Sequence, residues 1–343
     1  MPQNPAALLQ NRATRIPERY VMDITSAANE LSDLATAPLP TDDVTAELPP
    51  LPLLRAGGML IGLAADLDAT HKKHLAGQWT GGIRCGIGLI DTTLRGLRPA
   101  SVSYLLAAPN IGKSTFVNQL AYQVSAYPGQ SAAAIYVTYE NPPTNLLLKH
   151  MARLSGWPQN DIDAGKIGTD DKHITTAVNA LASADLWYLA AGKHVSFDDI
   201  RRAVETVKTE SGAEYIFCAI DYLQYYAKAS TAKENRYEQV NAAVVDMREL
   251  PNMTNAHVMV ISSQNRATNK GDGGEGMHGG TGSGDIEYDA DLMLTLATKD
   301  KDSKDHEHLL LTATKTRYGG KHKLNSLIFD ADRASFAVVG DPE

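Results

Sequence analysis

From residue 100 onward the chain alternates two patterns. Short apolar runs, "SVSYLLA", "AIYVTYE", "YIFCAID" and "HVMVISSQ", are separated by stretches with helical spacing such as "KSTFVNQLAYQVSAY" and "SFDDIRRAVETVKTES". Runs that are apolar throughout, rather than at every second position, mark strands buried on both faces. The pattern therefore predicts an α/β fold with a mostly parallel sheet covered by helices. Toward the C-terminus "ADLMLTLA", "HLLLTATKTR", "LNSLIF" and "ASFAVV" follow one another across short polar or glycine-containing gaps, as antiparallel strands extending the sheet do.

The first hundred residues are patterned differently. Residues 16–35 fit one modest helix, whereas "APLPTDDVTAELPPLPLL" (37–54) is rich in proline and acid, has no period, and reads as an extended linker. In "GMLIGLAADLDATHKKHLAG" (58–77), Met59, Leu60, Leu63 and Leu67 lie near one face and Lys72 and Lys73 follow. That spacing predicts an amphipathic helix, which either packs on its own domain or docks on a neighbouring subunit. The expected division is a short segment and linker over 1–54, a linker helix over 55–81, and one α/β domain over 82–343. No internal repeat is visible. One low-complexity stretch, "NKGDGGEGMHGGTGSG" (269–284), is too glycine-rich to pack as regular structure and is expected to be a mobile loop.

Composition narrows the function classes. A chain of 343 residues, 43% hydrophobic and 21% charged, is long enough for one large core plus an appendage. Its net charge of −8 argues against holding nucleic acid by bulk positive charge but leaves room for a locally basic groove. Residues 1–54 carry three basic against seven acidic residues, so half of the deficit sits there, while "KTRYGGKHK" (315–323) has four cations and no acid. The two cysteines, Cys85 and Cys218, are far apart and lack metal-type spacing, which suggests reduced thiols, with Cys218 a packed core residue. No apolar run is long enough to span a membrane and the N-terminus lacks the apolar core of a secretory signal, so a cytoplasmic location is expected.

The chemistry concentrates where strands end. "AAPNIGKSTF" (107–116) closes on the Gly-Lys-Ser of a phosphate loop, with Ala107 where the G-x-x-x-x-G-K-[ST] pattern has its first glycine. An apolar strand precedes it, Pro109-Asn110-Ile111-Gly112 makes the turn, and a helix opens at Lys113 with Phe116, Val117, Leu120 and Val124 on its buried side. In that context backbone N–H groups of Pro109 to Thr115 and the helix N-terminus hold phosphate oxygens, proline itself contributing only its rigid turn. Lys113 reaches the β- and γ-phosphates and the Ser114 hydroxyl binds Mg²⁺. "YIFCAIDYLQ" ends its strand in Asp221, either a carboxylate for that metal on the strand neighbouring the phosphate loop or a cap for the next turn. "AIYVTYENPP" ends in Glu140, either a base for a water attacking the γ-phosphate or an acid at the start of the helix opened by Pro142 and Pro143. Lys315 and Arg317 sit at i and i+2 of a strand and share a face, with Gly319-Gly320 set to turn the tip. Alone, that face reads equally as solvated and basic.

Taken in order, A-A-P-N-I-G-K-S-T, T-Y-E, I-D-Y-L-Q, I-S-S-Q-N-R, S-G-D-I-E-Y-D-A-D and K-T-R-Y-G resemble the C-terminal ATPase domain of DnaB-type replicative helicases, a RecA-like fold. In that family alanine commonly opens the phosphate loop, so Ala107 is a family trait. The likeness runs from about Gly82 to Val339; its opening segment (82–100) has Gly86, Asp91, Gly96, Leu97 and Pro99 in place and Ala100 where glycine is common. The resemblance implies that Lys113 and Ser114 bind ATP and Mg²⁺, Asp221 is the second-motif acid, Glu140 the catalytic base and Gln264 the γ-phosphate sensor. It further implies that Lys315 and Arg317 reach the ATP of the adjacent subunit. Thr281, Gly282, Ser283 and Gly284 fall in the family's DNA loop, with Thr281 and Gly282 standing where an Arg-Glu pair is frequent. Backbone amides there can hold phosphates, with less charge than an arginine supplies. About 80 residues precede the opening segment, fewer than the family's helical N-terminal collar and linker occupy. The expected activity is an ATP-driven helicase or translocase on single-stranded DNA, working as a homo-oligomer, a hexameric ring, with a primase or helicase loader as further partners. The alternative is a RecA- or KaiC-like assembly ATPase that controls oligomer state without unwinding.

Overall fold

A computed structural model describes residues 56–192, 195–230, 235–263, 283–298, 308–317 and 322–339. Among them are nine strands: β1 (Ser101–Ala107), β2 (Ala132–Thr138), β3 (Leu186–Ala190), β4 (Tyr215–Asp221), β5 (His257–Ser263), β6 (Leu292–Thr298), β7 (His308–Thr316), β8 (His322–Asp330) and β9 (Ser335–Val339). They form one sheet in the order β3-β2-β4-β5-β1-β6-β7-β8-β9. Pairing is parallel from β3 through β6 and antiparallel from β6 to β9.

Both faces of the parallel part are buried, which explains its unbroken apolar runs. On one face Leu105, Ala134, Tyr136, Phe217 and Met259 pack under the helix Lys113–Ser125 through Phe116, Leu120 and Val124. On the other, Val102, Tyr104, Ile135, Cys218 and Val260 pack under Ile200, Val204 and Val207 of helix Phe197–Ser211 and under Val240, Val244 and Met247 of helix Arg236–Thr254. Cys218 is a core residue, as its sequence context predicts, and burial pushes its thiol up to about 12. The helix Lys113–Ser125 is buried on more than the one side its apolar spacing marks: Asn118 and Gln119 are buried too, because each bonds a neighbouring element.

The opening segment folds as a clasp ahead of β1. Ile83 and Leu97 bridge, and the Asp91 carboxylate accepts the N–H groups of Cys85 at 2.9 Å and Gly86 at 3.0 Å. Gly96 has φ +79°, and a Cβ there would meet the Ile83 carbonyl oxygen at 2.8 Å. Ala100 has φ 49°. Alanine in that left-handed region costs about 1 kcal/mol relative to glycine.

The edge strand β3, "LWYLA", has no counterpart in the sequence reading. Its pattern is short and only half-buried, so only pairing to β2 defines it. The chain divides into two compact units, Met1–Ala69 and Thr70–Glu343. Of the first, only the helical residues 56–69 are described; helix Ala56–Leu75 falls two residues ahead of its expected span. The expected helix over 16–35 and linker over 37–54 lie outside the described residues. Among the described residues no helix is long and apolar enough to cross a membrane.

Candidate functional site

Parallel strands present their carboxyl ends on one edge of the sheet, and α/β ligand sites form there. Ala107 of β1 pairs with Ser263 of β5, and Thr138 of β2 with Asp221 of β4, so the ends of four strands lie along this edge. The loop after β1 turns through Asn110, with φ 66°, and Gly112, with φ 87°, and the helix begins at Lys113. Asparagine tolerates the left-handed region better than other side chains, and glycine is unstrained in it. Gly112 is required for space as well: a Cβ there would lie 2.9 Å from Phe336 Cζ and 3.1 Å from Phe329 Cζ. The rings of Phe329 and Phe336 stack at 4.4 Å, Phe116 meets Phe336 edge-on at 5.2 Å, and Gln119 exchanges two 2.8 Å hydrogen bonds with the Phe336 backbone. The antiparallel strands β8 and β9 thus fold back over the phosphate loop and clamp it.

Lys113 Nζ donates to the carbonyl oxygens of Ala107 at 3.1 Å and Ala108 at 2.7 Å, so its charge sits inside the loop. Burial lowers its pKa, and the Asp221 and Glu140 carboxylates oppose that shift. Asp221 lies at the end of β4 and is fully buried. Its strand is not next to β1, contrary to the sequence expectation, because β5 lies between them. Tyr136 spans the gap: its hydroxyl donates to Asp221 Oδ2 at 2.8 Å and lies 3.3 Å from the Ser114 carbonyl oxygen. Burial raises the Asp221 pKa, while Tyr136, Ser114, Lys149 and Asn141 hold it down. Asp221 Oδ1 finds no hydrogen bond of good geometry. A buried carboxylate oxygen left open beside Ser114 is a donor set of hard oxygens, the kind Mg²⁺ takes.

Glu140 is exposed just past β2, and Pro143 opens the next helix, Pro143–Ser155. From that helix Lys149 reaches into the site, where its Nζ donates to Thr115 Oγ1 at 3.1 Å. Lys149 is largely buried, and burial lowers its pKa against the pull of Asp221 and Glu140. Sequence reasoning missed it. The available signal was its spacing, nine residues after Glu140 on the helix that Pro143 opens.

Lys315 and Arg317 are brought together some distance along the sheet. Lys315 Nζ bonds the carbonyl oxygens of Glu287 and Tyr288, the latter at 3.2 Å. Arg317 forms an ion pair with Asp291, Nε lying 3.2 Å from Oδ1, and donates to the Tyr288 carbonyl through Nη2 at 3.3 Å. Both cations therefore lean on the end of helix Ser283–Asp289. Ser283 and Gly284 open that helix rather than ending the expected loop, since the apolar Ile286 and Ala290 after them bury against the core. Gln264, Thr281, Gly282 and the Gly319-Gly320 turn lie outside the described residues.

The family model for the DnaB-like helicase C-terminal domain matches residues 82–338. Among curated proteins, the replicative DNA helicase DnaB of Geobacillus stearothermophilus is 26% identical over 210 residues, covering 61% of this chain and 44% of that protein. The replicative DNA helicase DnaC of Bacillus subtilis is 24% identical over 209 residues, with the same coverage. The chain thus spans less than half the length of these relatives. Among solved structures, the ATPase domain of G40P superposes with a TM-score of 0.71 at 17% identity, covering 83% of this chain and 99% of that one. A DnaB-like replicative helicase, studied with its primase interactions, gives 0.69 at 17% identity over 92% and 72% of the two chains. At these identities the structures establish a shared RecA-like fold, and with the family match over three quarters of its length the chain belongs to the DnaB-like helicase C-terminal domain family.

Proposed function

We propose that this chain hydrolyses ATP with Mg²⁺ and uses the energy to translocate on single-stranded DNA as a helicase, in a homo-oligomeric, hexameric ring whose active sites lie between subunits. The observation that carries the reading is the assembly at one sheet edge of Lys113 in its loop, the buried Asp221 with an open oxygen beside Ser114, and Glu140 exposed next to them.

The loop residues Pro109 to Thr115 wrap the phosphates, with Lys113 releasing its hold on the Ala107 and Ala108 carbonyls to pair with the β- and γ-phosphates. Ser114 and Asp221 hold Mg²⁺, which neutralises charge on the phosphoryl group being transferred. Glu140 orients the attacking water and takes its proton, and Gln264 senses the γ-phosphate. Lys149 adds a second cation beside Thr115. Lys315 and Arg317 act on the neighbour's nucleotide, and Thr281 to Gly284 contact the DNA backbone through main-chain N–H groups. The helix Ala56–Leu75 is proposed to dock on an adjacent subunit. A primase is the further partner, by analogy with the DnaB-like relative solved with one.

The test is ATP turnover with and without single-stranded DNA, alongside mass in solution and displacement of a labelled strand. Stimulated turnover with strand displacement supports the reading. Turnover that ignores DNA, with no displacement, favours an assembly ATPase. Two variants check the roles. For Glu140→Gln, retained ATP binding with hydrolysis down by at least about a hundredfold is expected, the scale of a lost general base; binding and turnover falling together would make Glu140 structural. Lys149→Met should weaken ATP binding by roughly tenfold or more, the size of one charged hydrogen bond, measured by titration with a non-hydrolysable analogue. Unchanged affinity would confine Lys149 to packing.

A further inference from the structure

We propose that Asp291 is the positioning residue for Arg317, holding the guanidinium by one edge so that its other edge is presented to the phosphoryl group of the neighbouring site. The inference rests on the shared-site reading above and adds to it the residue that sets the cation's orientation.

Asp291 is nearly buried and joins four elements. Its Oδ2 accepts the Val102 N–H of β1 at 3.0 Å. Its Oδ1 accepts from Arg248 Nη1 of helix Arg236–Thr254 at 3.2 Å and forms an ion pair with Arg317, 3.2 Å from Nε. Its own carbonyl accepts the Arg317 N–H at 2.9 Å, so main chain and side chain of Arg317 are both registered on this one residue. Arg248 also bonds the Asp289 carbonyl at 2.7 Å, which fixes the turn that carries Asp291. The Asp291 side chain is 10% exposed and that of Arg317 is 40% exposed, so the anchor is inside and the head is outside.

The identity of the bonded atoms carries the argument. A guanidinium offers two forks, one between Nε and Nη2 and one between Nη1 and Nη2. Nε faces Asp291 in an ion pair and Nη2 donates to the Tyr288 carbonyl, so both acceptors lie on the side of the first fork. The second points away from those acceptors, and it is the edge suited to bidentate contact with a phosphoryl group. Charge is consistent with this role. One carboxylate shared between Arg248 and Arg317 leaves the trio with a net positive charge, whereas a private ion pair would neutralise Arg317. The pairing also links the cation to the phosphate loop's own strand through Val102 and to helix Ser283–Asp289 through Tyr288. A shift of either element therefore moves Arg317.

The experiment is a double-mutant cycle on the assembled full chain, with ATPase kcat, KM and thermal midpoint read for Asp291→Asn, Arg317→Ala and the pair. Asparagine keeps the shape and an acceptor for the Val102 N–H while removing the charge that holds Arg317. The expected result is a kcat lower by roughly 10- to 100-fold, the cost of displacing a reacting group by about an ångström, with KM for ATP near that of the unaltered chain. In the Arg317→Ala background the same substitution should change residual kcat less than twofold. An equal loss in both backgrounds, or a raised KM with a lowered midpoint, would make Asp291 a structural tie and overturn the proposal. Full turnover in Arg317→Ala would instead remove the shared-site reading itself. Should Asp291→Asn fail to fold, Arg317→Lys serves: lysine keeps the charge but cannot use two forks, so a loss close to that of Arg317→Ala is expected, and full activity would refute the oriented edge.

Discussion

Replacing Lys113 by alanine should abolish ATP turnover, lowering kcat/KM by about a thousandfold or more while leaving the fold intact. The side chain has two jobs in one place. It ties the loop through the Ala107 and Ala108 carbonyls, and in the proposed reading it is the loop cation that meets the β- and γ-phosphates. Removing one charge aimed at a transferring phosphoryl group costs on the order of 10²- to 10³-fold, and here ground-state binding is lost as well. The helix that Lys113 opens is held independently, by Phe116, Leu120 and Val124 in the core and by Gln119 on the Phe336 backbone. The thermal midpoint should therefore move little. Turnover assays and analogue titration on the same preparation check this, and near-normal turnover would sink the phosphate-loop assignment. Arginine at the same position should not rescue, because a planar fork is longer and cannot take the place of a point charge folded against two carbonyls.

Where the sequence was readable, one physical rule governed each element. Strands buried on both faces announced themselves as unbroken apolar runs, so β1, β2, β4 and β5 were legible, as were the antiparallel strands from their short spacing. The tight turn from β1 into helix Lys113–Ser125 was legible because it constrains backbone and space together: Gly112 sits at positive φ under Phe329 and Phe336. What escaped was set by tertiary pairing. β3 has an exposed, mixed pattern and exists because β2 offers it an edge. The position of Asp221, one strand further from β1 than expected, depends on sheet order, which no local pattern encodes. Lys149 escaped for a similar reason. On a helix with Leu146, His150 and Ala152 buried, a lysine beside them reads as a solvated stem, and only the tertiary placement of the helix brings it to Thr115. The tie between Arg317 and Asp291 joins residues 26 apart in sequence, across β6 and β7, and emerges only when those strands pair.

Arg317→Ala should lower turnover by roughly 10³-fold or more while ATP affinity stays within a few-fold, because in the proposed shared site the guanidinium acts on charge that develops during phosphoryl transfer and little on the bound ground state. The geometry of this chain makes that separation testable by mixing. Arg317 is anchored on Asp291 and the end of helix Ser283–Asp289, whereas Lys113, Asp221 and Glu140 gather at the carboxyl ends of β1, β4 and β2. In a head-to-tail ring each interface takes its loop and base from one chain and its arginine from the next. An Arg317→Ala chain and a Glu140→Gln chain, each inactive alone, then form one intact interface wherever the first supplies Glu140 and the second supplies Arg317. Co-assembly should recover part of the ATPase, with recovery rising as the two chains approach equal amounts and falling when either dominates. Recovery is small if subunits fire in strict sequence, so the decisive measurement is made on the unaltered protein: turnover per chain as it is diluted through its assembly range. A shared site loses activity in step with the loss of the ring. Full turnover by a monomer would mean that the arginine is not needed from a neighbour, and the phosphate loop would then be serving an enzyme complete within one chain.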